Sequence, residues 1–572
     1  MDAHNAMIST IVNNSTLIEV PFFQRAYVWN EDLWERFLSD LEFAVQTNRP
    51  HFLGTLILQS SPALPPNAPY AAKFTLVDGQ QRLTTFLIFL KVLCLRMGQP
   101  AVFDTNFRLM ITQELSLQHG KNDSAAFRLV TSQTQPVPIS GAEASSQIVQ
   151  AFNYFVSHMQ LSTLADYMSV ISNAQFVQID LGPADDAQQI FDSLNSLGVS
   201  LTTSELLKNY FFSRNNLQKY QDIWESVFEA SPADKAYWDA VIEVGRFRRP
   251  MIDLFFDAYF QLFIQDKKYA VSVVDKLVYA RTSRLSNSYQ HFIQNYCGGD
   301  KDVILGSLKP YAQLFRQTFQ PSLCDTTTPS AFGIERLNVV IFALKTTTLI
   351  PYVLYLAKNV SDPAVLNQMY GLLESYVMRR IIVRASTRNY NNLFPALIAN
   401  EILTPADLLA RLQSTGSINS YIPDDTELLS GFQNAKLMNL YSKGVLYLIE
   451  SRIRPAQSAV ALHGFNNYSL EHLMPKKWRN HWPACASGTR RDAVLLTLGN
   501  LAIIPQTLNT SIRDSSWDTK KAGKGPSKPG LTLCAAGLVT LQDALTKSDW
   551  NETEIESRAL WLYDQARTLW KL

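Results

Sequence analysis

The spacing of apolar and polar positions changes character along the chain. Up to about residue 212, strand-like and helical runs alternate. Leu76 and Val77 are strand-like, Asp78-Gly79 is a turn signal, and Leu83 to Met97 is apolar at helical spacing. Phe176-Val177-Gln178-Ile179-Asp180 predicts another strand, and Asp185-Asp186 reads as a charge pair at a helix N-terminus rather than a metal site. A proline-rich stretch at 60–70 and a polar stretch at 131–146 mark loops. From about 213 to 450 the period turns helical, in runs such as Tyr220–Phe228, Met251–Ile264 and Leu366–Val383. Phe255, Phe256, Tyr259 and Phe263 share that spacing, which predicts core packing between helices. The most apolar long run, Leu337 to Ala357, is broken by Lys345 and several threonines and predicts a buried helix rather than a membrane span. The pattern predicts an α+β multidomain protein, predominantly helical, with an α/β domain at 1–212, a helical connector at 213–450 and a small mixed domain at 451–572.

Composition narrows this little. The 572 residues allow two to four domains, and 47% hydrophobic content fills sizeable cores. A formal charge of +1 does not mark the whole molecule as a nucleic-acid binder. Its distribution does more: residues 471–530 hold ten Lys and Arg against four Asp and Glu, a net of +6. Lys476, Lys477, Arg479, Arg490, Arg491, Lys520, Lys521 and Lys524 are candidates for a phosphate track, with a solvated surface as the plainer reading. Arg380, Arg384 and Arg388 would share one helix face at i, i+4 spacing, a costly stack unless DNA phosphate or internal carboxylates offset it. Five scattered cysteines without a Cys-x-x-Cys pair argue against a disulfide scaffold, and His481 with Cys485 is too little for zinc. No charged-then-apolar leader opens the sequence, so a cytoplasmic location is expected.

The C-terminal chemistry centres on Ser469-Leu470-Glu471-His472-Leu473-Met474-Pro475, followed by Leu498-Gly499-Asn500-Leu501, Asn509 and Lys520. On an extended strand neighbouring side chains point to opposite faces, so Glu471 can offer a hard oxygen to a cation while His472 stays free to deprotonate water. Asn500 either holds the imidazole or orders the turn behind it, and Asn509 offers a second oxygen. Mg²⁺, or Mn²⁺, suits so few protein ligands. An ordinary surface or core histidine is the competing reading.

A second signal lies near the other end. In Phe74-Thr75-Leu76-Val77-Asp78-Gly79-Gln80-Gln81-Arg82, a strand, a turn and a helix start follow one another, and free amides beside Arg82 suit a phosphate. There is no Gly-Lys-Ser/Thr, so this is not a Walker A loop. Upstream, Val20-Pro21-Phe22-Phe23-Gln24-Arg25-Ala26-Tyr27-Val28-Trp29 adds a second arginine among aromatics. A capped turn packed under an aromatic cluster explains the same residues equally well.

Taken together, these strings resemble a known family. Glu-His-Leu-Met-Pro is similar to the Asp-His-Ile-x-Pro string of HNH, or ββα-metal, nuclease fingers, with Glu for Asp and Lys476-Lys477 where many relatives carry Gln. Pro-Phe-x-Gln-Arg-x-Tyr-x-Trp, Phe52-Leu53-Gly54-Thr55-Leu56-Ile57-Leu58, Asp-Gly-Gln-Gln-Arg and the block Ile190 to Leu201 resemble the N-terminal domain of GmrSD-type restriction enzymes. The resemblance implies a ParB/sulfiredoxin-like N-terminal domain that binds and hydrolyses ATP or GTP through Gln24, Arg25, Asp78, Gly79, Gln80, Gln81 and Arg82. Asp78 would position a metal or water, and Arg82 would neutralise a phosphate. Asn195 and Gly198 either shape a loop around the ligand or lead into the helix that the capping box Thr202-x-x-Glu205 begins. At the other end it implies an HNH nuclease with His472 as base, Asn500 as positioning residue, and Glu471 and Asn509 on the metal.

The expectation is therefore a metal-dependent endonuclease acting on double-stranded, modified phage DNA, gated by nucleotide, with a homodimer possible. DNA contacts are expected at Lys476, Lys477, Lys520, Arg380 and Arg384. Two rivals stand beside it: a nucleotide-hydrolysing DNA-sensing switch with a non-catalytic C-terminal domain, and an interaction protein in which both motifs are structural turns.

Overall fold

A computed structural model describes residues 2–571 except 62–63, 184, 186–201, 213–215, 245–246, 281–283, 415–419, 456–460, 507, 509–513 and 536. Asp186, Asn195, Gly198 and Asn509 lie outside the described residues. The chain divides into two compact units, Met1–Asp222 and Ile223–Leu572. Helix accounts for 60% of the structure, alongside a central sheet, so the protein is a predominantly helical α/β mixture.

In the first unit the strands are β1 (Asp2–Met7), β2 (Thr16–Glu19), β3 (His51–Ser60), β4 (Ala72–Asp78), β5 (Leu117–Gln118) and β6 (Ala174–Leu181). They form one mixed sheet in the order β1-β6-β3-β4-β2-β5. The strand expected at 176–180 is β6, which pairs with β3 in parallel and with β1 antiparallel. β4 ends at Asp78, and Gly79 turns the chain into helix Gln80–Arg96 with φ +96°. A side chain there would also meet Leu56 Cδ2 at 2.2 Å, so only glycine suits the position. From Leu83 to Leu95 the helix is buried on every face because it runs through the core, with Phe86 and Phe89 against Phe37, Phe155 and Phe176. Thr202 and Glu205 make both bonds of the expected capping box ahead of helix Thr203–Phe211. Asp185, read as half of a charge pair, accepts the Gly182 amide through its carboxylate.

The second unit is built on helices Met251–Gln265, Asp302–Thr318, Pro363–Ile382, Asn439–Ile453 and Glu552–Leu569, with a small hairpin of β7 (Val241–Val244) and β8 (Phe247–Pro250). Phe255, Phe256 and Tyr259 are core residues, ringed by Trp224, Phe228, Trp238 and Phe315. The single buried helix expected over 337–357 is instead two pieces. Ile334–Asn338 runs into the π-helical turn Val339–Ala343, Lys345 takes a left-handed conformation at φ 58°, and helix Ile350–Asn359 follows.

At the centre of this unit Arg336 and Glu374 form a buried two-pronged ion pair at 2.9 and 2.7 Å. Trp570 Nε1 donates to the same carboxylate, and Arg336 also donates to Ser451 Oγ and the Leu448 carbonyl. Arg379 Nε donates to the Trp570 carbonyl. Two further strands, β9 (Tyr468–His472) and β10 (Leu501–Pro505), pair antiparallel against this helical body. Thr327 Oγ1 donates to the Leu462 carbonyl and Tyr447 OH to that of His463, which ties the approach to β9 onto the helices. Among the described residues no helix is long and apolar enough to cross a membrane.

Candidate functional site

Strand alternation on β9 separates the two candidate groups as expected. Glu471 sits opposite Ala502 and points inward, while His472 sits opposite Leu501 and is half-buried. Burial, with Lys476 and Lys520 nearby, lowers the imidazole pKa to about 4, so the ring is neutral near pH 7.

The turn after β9 is held from behind. Asn500 is fully buried; its Oδ1 accepts from the Met474 amide at 2.8 Å, and its Nδ2 donates to the Met474 and Leu495 carbonyls at 2.8 and 2.9 Å. Trp550 Nε1 is a second donor to Oδ1, at 3.0 Å. Of the two roles open for Asn500, the structure gives it the turn: its amide is fully engaged there and makes no bond to the imidazole.

Lys520 departs from expectation. It lies on the short helix Trp517–Ala522, is wholly buried, and donates to Glu471 Oε1 and to the His472 carbonyl at 2.6 Å. Burial pushes the Glu471 carboxyl up and the Lys520 ammonium down, each opposed by the other's charge. Lys520 is thus an internal strut and not a surface contact for DNA. Glu471 is a hard-oxygen donor of the kind Mg²⁺ takes, but one of its oxygens is already shared with an ammonium. Among the described residues no three His, Cys, Asp or Glu side chains gather into a metal cluster.

The phosphate track also contracts. Arg479 pairs with Asp492 and lies over Trp478; Arg490 pairs with Glu556; Arg491 is buried against Glu552; Lys521 donates to the Lys547 carbonyl. Lys476, Lys477 and Lys524 remain exposed, with no ion-pair partner among the described residues. Arg380 is buried too, donating to the Tyr421 and Ser386 carbonyls among the rings of Tyr376, Tyr390 and Tyr421. The expected helical stack of arginines does not form, because helix Pro363–Ile382 ends before Arg384, which is exposed and left-handed at φ 58°. Arg380 is therefore corrected to a structural role, while Arg384 and Arg388 stay on the surface.

In the first unit the Asp78–Arg82 turn forms as expected. Gly79 caps helix Gln80–Arg96 without a side-chain bond to its first amides. Arg82 donates to the Thr55 carbonyl at 2.6 Å and to Asp78 at 3.2 Å, while its Nε is enclosed without a hydrogen-bond partner. Gly54, at φ +109°, leaves room for that guanidinium: a side chain there would approach Arg82 Cδ and Nε at 3.0 Å. Two expected ligand residues are engaged elsewhere. Gln24 donates to the Leu76 and Val77 carbonyls, and Gln81 accepts from the Val28 amide and donates to the Ala26 carbonyl, so together they pin segment 24–28 to the turn. Gln80 is buried, and Arg25 and Asp78 are half-exposed.

Comparison with known families sorts these two sites. The GmrSD restriction endonuclease N-terminal domain matches residues 8–212, and the GmrSD restriction endonuclease C-terminal domain matches residues 422–565. The chain belongs to the GmrSD restriction endonuclease family. No curated protein matches it. The GmrSD N-terminal match contains the Asp78–Arg82 turn, and the C-terminal match contains Glu471, His472, Asn500 and Lys520. A protein carrying both domains is a restriction nuclease with DNA as its partner. Trp550 and Arg558, which turn out to stand behind Asn500, carried no sequence signal of their own; only position inside the matched C-terminal domain connects them to it.

Proposed function

We propose that this GmrSD protein is a metal-dependent endonuclease that cuts modified phage DNA in the cytoplasm, gated by ATP or GTP at the Asp78–Arg82 turn. The observation that carries the reading is a neutral, half-exposed His472 on a braced strand, inside the segment that matches a restriction endonuclease domain. His472 accepts the proton of the attacking water through its free ring nitrogen. Lys520 holds the carbonyl of His472 itself and Asn500 the backbone two residues on, so the imidazole keeps its aim. Glu471 and Asn509 would hold Mg²⁺ or Mn²⁺, which when bound supplies positive charge for the scissile phosphate. Lys476 and Lys477, two exposed cations just past the base, supply the nearest phosphate contacts on the chain. Arg384 is a further cation open to DNA, and a homodimer would present two such centres to a duplex.

At the other site the first turn of helix Gln80–Arg96, whose amides take no side-chain cap, and the arginine beside it suit a nucleotide phosphate. Arg82→Ala is expected to abolish nucleotide turnover and to weaken ATP or GTP binding at least about tenfold, since a charge-assisted hydrogen bond contributes ~1.5–3 kcal/mol. Titration calorimetry and phosphate release check it, and unchanged turnover would remove Arg82 from the site. The whole reading is tested by incubating purified protein with modified and unmodified phage DNA, Mg²⁺ or Mn²⁺, and ATP, GTP or neither. Nucleotide-dependent cutting of modified DNA is the expected result. Nucleotide consumption with no cutting on any substrate would replace it with a sensing switch, a reading that Lys520's hold on Glu471 favours.

A further inference from the structure

Behind the catalytic strand lies a group that the proposed chemistry does not use. Arg558, on helix Glu552–Leu569, is 5% exposed and has no carboxylate among its hydrogen-bond partners within the described residues. Its Nη1 donates to the carbonyls of Gly499 at 2.7 Å, Leu501 at 2.8 Å and Leu498 at 3.4 Å, and its Nε and Nη2 donate to that of Thr540 at 3.1 and 3.0 Å. Three of those four carbonyls flank Asn500. A guanidinium that gathers them fixes the path of the turn, because its donors are set in a rigid plane.

Contact with the helix is as close as backbone permits. A Cβ on Gly499 would lie 2.1 Å from the Ile555 carbonyl oxygen and 3.1 Å from Ala559 Cβ. Trp550 adds the second constraint. Asn500 Oδ1 takes two N–H donors, from Met474 and from Trp550 Nε1, so the amide has one orientation, with Nδ2 toward the Met474 and Leu495 carbonyls. Met474 is two residues beyond His472.

We infer that Arg558 and Trp550 are positioning residues for the nuclease reaction: through the 498–501 turn and the Asn500 amide they set the aim of the His472 imidazole. This rests on His472 being the base. It asks nothing of Arg558 or Trp550 in substrate contact, since both are buried on the far side of the turn. Displacing a reacting group by about 1 Å costs on the order of a hundredfold in rate, so loss of the brace acts on turnover and leaves DNA affinity alone.

Trp550→Phe is the deciding variant, because it keeps a ring in the core and removes the donor to Asn500. It is expected to lower kcat about tenfold to a hundredfold while KM and DNA affinity stay at wild-type values. With histidines labelled by ¹⁵N, the ring signals of His472 are expected to move in this variant. Arg558→Lys, which keeps the charge but replaces the planar fork, is expected to act in the same direction. If it fails to fold, Trp550→Phe alone decides. A folded Trp550→Phe protein that cuts at the wild-type rate overturns the inference, whether or not its unfolding midpoint falls. If the wild-type protein cuts no DNA, the nuclease reading fails instead, and the His472 ring signals still decide whether the brace reaches that side chain.

Discussion

His472→Ala is expected to abolish DNA cleavage while DNA binding and the unfolding midpoint remain at wild-type values. A general base contributes about 10²–10⁴-fold to rate, and at such a loss ordinary assays show no product. The fold should tolerate the change because the imidazole is half-exposed and makes no hydrogen bond among the described residues, while backbone pairing with Leu501 survives. The pH dependence provides an independent check. An unperturbed imidazole has a pKa of about 6.5, and that of His472 is lowered to about 4. The acid limb of kcat/KM, which reports the free enzyme, is therefore expected near pH 4 rather than 6.5. Stability follows the same group: the unfolded chain takes up this proton first, so the His472 contribution is intact above about pH 6.5 and declines as pH falls toward 4. Cleavage persisting in the alanine variant would remove His472 as the base, and an acid limb at about 6.5 would show that burial does not lower its imidazole.

Lys520→Met should have the largest effect on stability. It strands the Glu471 carboxylate, which is 7% exposed, without its ammonium. Removing one partner of a buried ion pair costs about 3–5 kcal/mol, because the remaining charge stays desolvated. The stranded carboxyl would titrate above its unfolded value of about 4.3. The defect is therefore smallest in acid, where both states are protonated, and grows as pH rises through that value. Replacing both partners, as Glu471→Gln with Lys520→Met, is expected to recover much of the loss. Urea unfolding at two pH values measures all of this. A single variant as stable as wild type would show that Lys520 is not an internal strut and would return it to the surface cations available to DNA.

The parts legible in the sequence were those with short-range causes. Alternation along β9 separates Glu471 from His472, the Asp78-Gly79 turn begins a helix, and Thr202 caps helix Thr203–Phe211; each is decided within a few residues. Cations were the hardest to place. Arg491 and Lys520 read as candidates for phosphate contact, and Arg380 as a partner of DNA phosphate or internal carboxylates, yet all three are buried because carbonyls, carboxylates or aromatic rings elsewhere in the chain receive them. Lys520 and Glu471 are separated by 49 positions, and nothing in the spacing connects them. Gln24 and Gln81 show the same limit at the other site: their type suits a ligand, but backbone groups of the neighbouring segment engage them first.

The buried bonds of Arg336 and Arg379 bear on how such proteins can diversify. The C-terminal family match covers 422–565, whereas residues that bond into it and anchor the approach to β9 include Thr327, Arg336 and Arg379, all earlier in the chain, which reach Leu462, Ser451 and Asp425. Genetic exchange that transplanted only the matched segment between relatives would separate Arg379 from Asp425, Arg336 from Ser451 and a strand from its anchor. Crossovers that leave a working nuclease should therefore fall upstream of Thr327, so that the helices and the β9–β10 pair are inherited together.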